Sequence, residues 1–176
     1  MFIRLAELHP IMVHFPIALL ITSVTLDFVS VVFRRWRLTE AASWCLVLGV
    51  PAAAAALLSG KISAGSVNAA AAGDLLHLHK TFAVAASVAF GSLLVVRLIW
   101  LAPRILGWLG QARWALAQPV VRVDKRLRQG LPAMYAPAPR LAIAAYLLAS
   151  LVSVFLLAVT GYLGGAMVYH HGVGMP

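Results

Sequence analysis

Cysteine and acidic side chains are scarce in this chain. A single Cys45 and five Asp plus Glu stand among 176 residues. One cysteine excludes a disulfide framework, a thiolate metal cluster and thioether attachment of haem through a cysteine pair. Any metal must therefore rely on histidine. Charged residues of all kinds make up only 11%, while 62% of the chain is hydrophobic and the mean hydropathy is +0.94. Those values exclude a soluble globular protein and a disordered one.

What is present is long apolar runs. A membrane-spanning helix needs about 20 mostly apolar residues. Four stretches qualify, at about 11–33, 41–62, 78–101 and 141–169. The fold class expected is all-α, an integral membrane four-helix bundle forming one domain over residues 1–176. The first run is too long for a secretion signal, and no small-residue cleavage site follows it before Arg34, so it reads as a retained anchor.

The net charge of +9 is a topology signal rather than a nucleic-acid footprint. Arg34, Arg35 and Arg37 lie between the first two runs. Arg97, Arg104, Arg113, Arg122, Lys125, Arg126, Arg128 and Arg140 lie between or at the edges of the last two. The other side carries only Arg4, Lys61 and Lys80. This bias places both termini outside, in the periplasm of a bacterial inner membrane. Residues 102–140 form a long cytoplasmic loop divided by prolines. Within it Ile105, Leu109, Ala112 and Leu116 recur at helical spacing, which suits a helix lying in the headgroup layer.

His9-Pro10 looks like a helix start, since proline costs nothing in a first turn. Pro51 should kink or loosen the second span. The loop from Gly60 to Gly73 is short and small-residue-rich, with Asp74 suited to cap the third span. No internal repeat is strong enough to use.

All six histidines fall on the outer side: His9 and His14 open the first run, His77 and His79 the third, and His170 and His171 close the fourth. Neighbouring histidines cannot all face one point, because a helix turns about 100° per residue. His14 and His79 are matched in depth, at about 6 Å inside their helix ends, and are the expected facing pair. Neutral imidazoles from two helices suffice as axial ligands of b-type haem. Gly161, Gly164 and Gly165 would leave space for the macrocycle, and Lys61 and Lys80 lie where propionates would point. The plainer readings are a small-residue helix contact for the glycines and snorkelling anchors for the lysines. A copper or zinc site stays open, with a sparse first shell.

Asp27, two turns from the inner end of the first run, demands a partner in the membrane. Arg97 and Arg140 are at a similar level, and a structural ion pair is the leading reading, proton handling the other. Ser59, Thr22 and Tyr162 show no base-plus-orienter set, which speaks against hydrolysis. No span carries a polar file through the midplane, which speaks against a transporter.

The stretches LHPIMVHFPIAL (residues 8–19) and TGYLGGAMVYHHGVG (residues 160–174) resemble the two end signatures, HP-x-x-VHFP and G-x-x-GG-x-x-VY-x-HGVG, of a bacterial family. It is a family of four-helix membrane proteins catalogued as a domain of unknown function, and the resemblance covers the whole chain. By it the matching histidines are His9, His14 and His171, with His79 similar to the family's mid-chain histidine. Some relatives look joined to Rieske-type iron–sulfur domains, which implies a redox setting. The basic loop from Pro103 to Pro139 is longer than the resemblance leads one to expect.

The function expected is a membrane b-type haem protein with a periplasm-side bis-histidine site. It would relay electrons as a subunit or partner of a respiratory or other redox complex, more an accessory subunit than a stand-alone enzyme. The expected ligand set is His14 and His79, then His9 and His171, with haem b as cofactor and a quinone as a candidate second ligand. The partners expected are the lipid bilayer and other membrane or periplasmic redox subunits. Two alternatives remain, a non-catalytic assembly subunit and a histidine copper or zinc protein.

Overall fold

A computed structural model describes residues 5–66, 69–117 and 140–171, and all four elements are helices: α1 (Leu5–Val32), α2 (Trp36–Ser66), α3 (Ala69–Ala117) and α4 (Arg140–His171). Each contains a stretch long and apolar enough to cross a membrane: His9–Val32, Arg37–Ala64, Gly73–Ala102 and Arg140–Tyr169. Helices that are apolar all round must face lipid or one another. Ile11, Phe15, Trp44, Leu148 and Phe155 accordingly stand on the outside, more than 40% exposed in each case.

The four spans match the apolar runs read from the sequence, with the helices longer at their ends. α1 begins at Leu5, so His9-Pro10 lies one turn inside the helix rather than at its start. Pro16 and Pro51 are likewise inside helices, and α2 runs through Pro51. The expected loop from residue 60 shrinks because α2 continues to Ser66. Gly73 breaks α3 at φ +43°, ψ −133°, a conformation that glycine adopts without steric cost. The third span therefore starts at this break. The helical spacing seen from Ile105 to Leu116 is realised as an extension of α3 to Ala117. The headgroup-layer placement of that stretch rests on side chains outside the described residues, as does the loop at 118–139.

Between α1 and α2 the chain reverses in a tight turn. Arg34 takes a left-handed conformation at φ 53°, and Arg35 N–H donates to Ser30 O at 3.0 Å. This six-to-one bond is the Schellman closure of a helix end. α1 and α2 then pack as one hairpin and α3 and α4 as a second. The hairpins meet through α2 against α3 and α1 against α4, leaving α1/α3 and α2/α4 as diagonals.

Inward positions recur at alternating steps of three and four. In α1 they are His9, Val13, Pro16, Leu20, Ser23, Asp27 and Ser30; in α3 they are His79, Ala83, Ala86, Phe90, Leu93, Arg97 and Trp100. α2 follows with Ala42, Leu46, Gly49, Ala53, Ala56, Gly60 and Ser63, and α4 with Tyr146, Ser150, Ser153, Leu157, Thr160, Gly164 and Met167. This seam of about 3.5 residues is the one that left-handed bundles use. The two hairpins thus repeat each other by position, α3 following α1 at one constant interval and α4 following α2 at another. Residue identities differ, so the repeat is invisible to plain comparison of the two halves.

The core holds Leu20, Val24, Leu46, Phe90, Leu93 and Tyr146. Lipid is as apolar as leucine, so packing rather than water exclusion must hold the helices together. Gly49 is one such contact: a Cβ there would lie 2.8 Å from Leu20 Cδ2.

Candidate functional site

Polar side chains collect at two levels of this interior. One contains His9 and His79, the other Asp27 and Arg97. Each pair occupies equivalent seam positions on the diagonal helices α1 and α3. Along either helix the levels are separated by about 27 Å at the helical rise, close to the thickness of a hydrocarbon core of about 30 Å.

At the histidine level each imidazole is held by the second helix of its own hairpin. His9 Nδ1 lies 2.9 Å from Ser59 Oγ, and the Ser59 hydroxyl already donates to Ala56 O at 2.8 Å. His9 must therefore donate from Nδ1, and it also feels the Ala56 carbonyl. His79 Nδ1 lies 3.0 Å from Thr160 O, a carbonyl that can only accept. Both rings are thus set as Nδ1–H tautomers, leaving the Nε2 lone pair open. Among the described residues neither Nε2 has a hydrogen-bond partner.

The same two helices give the rings room. A Cβ on Gly60 would sit 2.9 Å from His9 Cε1, and one on Gly164 would sit 3.2 Å from His79 Cε1. Ala56 and Thr160, like Gly60 and Gly164, are equivalent positions of the two hairpins. The arrangement is therefore one device used twice: a histidine, an oxygen acceptor on the second helix to fix its tautomer (the Ser59 hydroxyl for His9, the Thr160 carbonyl for His79), and a glycine to admit its ring. His9 and His79 are close enough to interact electrostatically across the bundle.

The expected pairing of His14 with His79 is not what the structure shows. His14 is exposed, and its Nδ1 bonds the Pro10 carbonyl of its own helix. Five residues beyond His9, it is turned about 140° from the seam. His77 is also exposed. The side chains of His170 and His171 lie outside the described residues. Of the three glycines singled out, Gly164 meets His79, whereas a Cβ on Gly161 or Gly165 would meet nothing within 4 Å. Lys61 and Lys80 are exposed at the histidine end, and Lys80 interacts electrostatically with His79. Among the described residues no group of three or more His, Cys, Asp or Glu comes together.

At the second level the expected ion pair is present, and its base is Arg97 rather than the exposed Arg140. One Arg97 amine donates to Asp27 Oδ2 and to Tyr146 Oη at 2.9 Å, and the other reaches Ser43 Oγ at 3.4 Å. The guanidinium carbon sits 4.9 Å from the Tyr146 ring centroid, and Trp100 packs on the same ring at 5.2 Å. Arg97 is 3% exposed and Asp27 4%. Among the described residues the one buried side-chain polar atom without a partner is Arg97 Nε.

Between the levels, Ser23, Ser150 and Ser153 are buried, so hydroxyls do reach the bundle interior. Each is spent on a helix carbonyl: Ser23 on Ala42, Ser150 on Tyr146 and Ser153 on Ala149, all within 2.8 Å. Leu20, Leu46 and Phe90, each at most 1% exposed, fill the same interior. Isolated hydroxyls among such side chains do not make a polar file.

Sequence reasoning missed Ser59, Thr160, Gly60, Tyr146 and Ser43. The three-four seam was the signal that would have found them, because all but Ser59 and Ser43 lie on it.

Comparison with known proteins gives one family model, described as "Predicted membrane protein (DUF2231)", which matches residues 6–176. No curated protein and no solved structure matches the chain.

Proposed function

Because the chain belongs to this DUF2231 family of predicted membrane proteins, and so works inside a bilayer, we propose that its histidine level binds b-type haem and relays electrons. His9 and His79 would hold it, each presenting Nε2. The observation that carries this reading is the pair of fixed tautomers on diagonal helices at one level. Ligating histidines characteristically donate their other ring N–H to a carbonyl or comparable acceptor, which orients the ring and raises its basicity.

Two imidazoles are a complete protein ligand set for a six-coordinate haem, whereas a structural zinc site takes four ligands and a catalytic one three. The helices that do not supply histidine present Gly60 and Gly164 at this level, where side chains would otherwise close the space. Lys61 and Lys80 supply positive charge at the same end for the propionates. When bound, the haem contributes one-electron chemistry. The protein contributes ring orientation, tautomer and a low-dielectric surround.

The excess of basic residues at the opposite end supports a histidine end that faces the periplasm of a bacterial inner membrane. A centre confined to that side exchanges electrons near the outer surface, as a subunit or partner of a larger redox complex. A reduced-minus-oxidised spectrum of the purified protein tests the reading. A haem signal abolished by His9→Ala or His79→Ala and kept by His14→Ala and His77→Ala is expected. Protein with no haem signal sinks it, as does a signal that survives loss of His9.

A further inference from the structure

Positive charge gathers at the end of the bundle away from the histidines. Arg34 and Arg35 lie in the turn between α1 and α2, Arg140 opens α4, and all three are exposed. Arg97 reaches both Asp27 and Tyr146 with one amine, so those two residues mark one level on α1 and α4. Arg34 follows Asp27 by seven residues and Arg140 precedes Tyr146 by six, which puts both about 9–10 Å beyond that level at the helical rise. α1 packs against α4, and packed helices lie about 8–10 Å apart. The turn and the start of α4 are thus neighbours in depth and sideways. Since the two polar levels span about 27 Å of a hydrocarbon core about 30 Å thick, these arginines stand at headgroup depth.

The described protein does not answer this charge. None of the three arginines has a side-chain partner among the described residues. Asp27 is taken by Arg97, and Glu40, the nearest other acid in sequence, pairs with none of them. The first turns of α2 and α4, whose positive dipole ends lie at this same end, carry no acidic residue. Arg34 is moreover held where a side chain is unfavourable, in the left-handed position that closes α1 and that glycine usually fills. Directly inward of the arginines, Val32, Phe33 and Leu141 offer apolar surface, each more than 60% exposed.

We propose that this corner of the bundle binds an anionic phospholipid, its phosphate held by Arg34 and Arg35 from the turn and by Arg140 from α4. The acyl chains run along Val32, Phe33 and Leu141. Guanidinium groups match phosphate oxygens through paired N–H donors. The occupant must carry negative charge at headgroup depth and continue into hydrocarbon, and a phospholipid does both. A soluble phosphate makes no use of the apolar surface beneath the arginines. The site lies at the far end from the histidines and stands whether or not haem is bound.

Two triple variants of equal charge give a matched test. One combines Arg34→Gln, Arg35→Gln and Arg140→Gln. The other combines Arg122→Gln, Arg126→Gln and Arg128→Gln, all from the basic segment between α3 and α4. Native mass spectrometry of the full chain, titrated with phosphatidylglycerol or phosphatidylcholine, reads lipid retention. The wild type should prefer phosphatidylglycerol. Each basic group beside an anionic headgroup contributes about fivefold, so the first variant should lose that preference by more than about tenfold and the second by no more than about twofold. Excess inorganic phosphate should leave the lipid bound. Equal losses in the two variants mean that diffuse charge alone holds the lipid, and overturn the proposal. A wild type that retains both lipids alike overturns it too, as does displacement of the lipid by inorganic phosphate. The readout does not require haem, so its failure and that of the haem reading are told apart.

Discussion

The two polar levels of the bundle occupy equivalent positions of the same repeat and solve opposite problems. At one, α1 and α3 present unlike charges, Asp27 and Arg97, which meet, neutralise each other and draw in Tyr146 and Ser43. At the other they present like groups, His9 and His79, which turn their Nδ1 atoms to the neighbouring helices and leave Nε2 unclaimed. The difference shows how one seam position can serve as lock or as socket. Complementary partners close the site, whereas identical partners satisfied from behind leave their Nε2 atoms unclaimed.

The largest effect should follow from unbalancing the lock. Arg97→Met leaves the Asp27 carboxylate buried without a partner, and should destabilise the protein by about 3–5 kcal/mol. Asp27→Leu combined with Arg97→Met should recover most of that loss, because a buried pair exchanged for apolar side chains is nearly neutral. Unfolding of both variants in detergent, read by circular dichroism, checks this. Equal loss in the single and double variants would mean that the pair contributes specific stability beyond cancelling its own charges.

Smaller losses come from second partners. Tyr146→Phe removes one hydrogen bond to a charged group and should cost about 1.5–3 kcal/mol in the same assay while leaving the haem spectrum unchanged. On the socket side, Ser59→Ala deprives His9 of its orienting acceptor, and Gly60→Ala pushes a Cβ into its ring. Each should weaken retention of the proposed haem by about 10–100-fold with little change in unfolding, measured by competition with apomyoglobin. Gly164→Ala should be milder, since its nearest ring atom is 3.2 Å away rather than 2.9 Å. The smallest effect belongs to His14→Ala, within about 0.5 kcal/mol and without spectral change, because His14 is exposed and bonded only within its own helix.

The membrane fold was legible because a spanning helix has a fixed length and composition, and both are written in the four apolar runs. The need for an Asp27 partner was legible for a similar reason: a lone carboxylate in lipid has no cheap alternative. The histidine pairing was not, because depth alone cannot choose between His9 and His14. Depth depends on where the helix starts, and α1 starts at Leu5. Phase decides instead: counting threes and fours from Asp27 through Leu20 reaches His9, and the same count from Arg97 through Phe90 reaches His79. Ser59 and Thr160 act through a hydroxyl and a main-chain oxygen on other helices, which no local pattern advertises.

The ion pair also sets a schedule for assembly. Asp27 belongs to the first hairpin, and among the described residues its ion-pair partner is Arg97, on the third span. Before the third span is in place, the Asp27 carboxyl on α1 lacks that guanidinium, so the first hairpin holds an acid that lipid either protonates or leaves charged at a cost. Arrival of the second hairpin discharges that strain and locks the halves in register. A chain truncated after α2 thus carries its own mark of incompleteness inside the membrane.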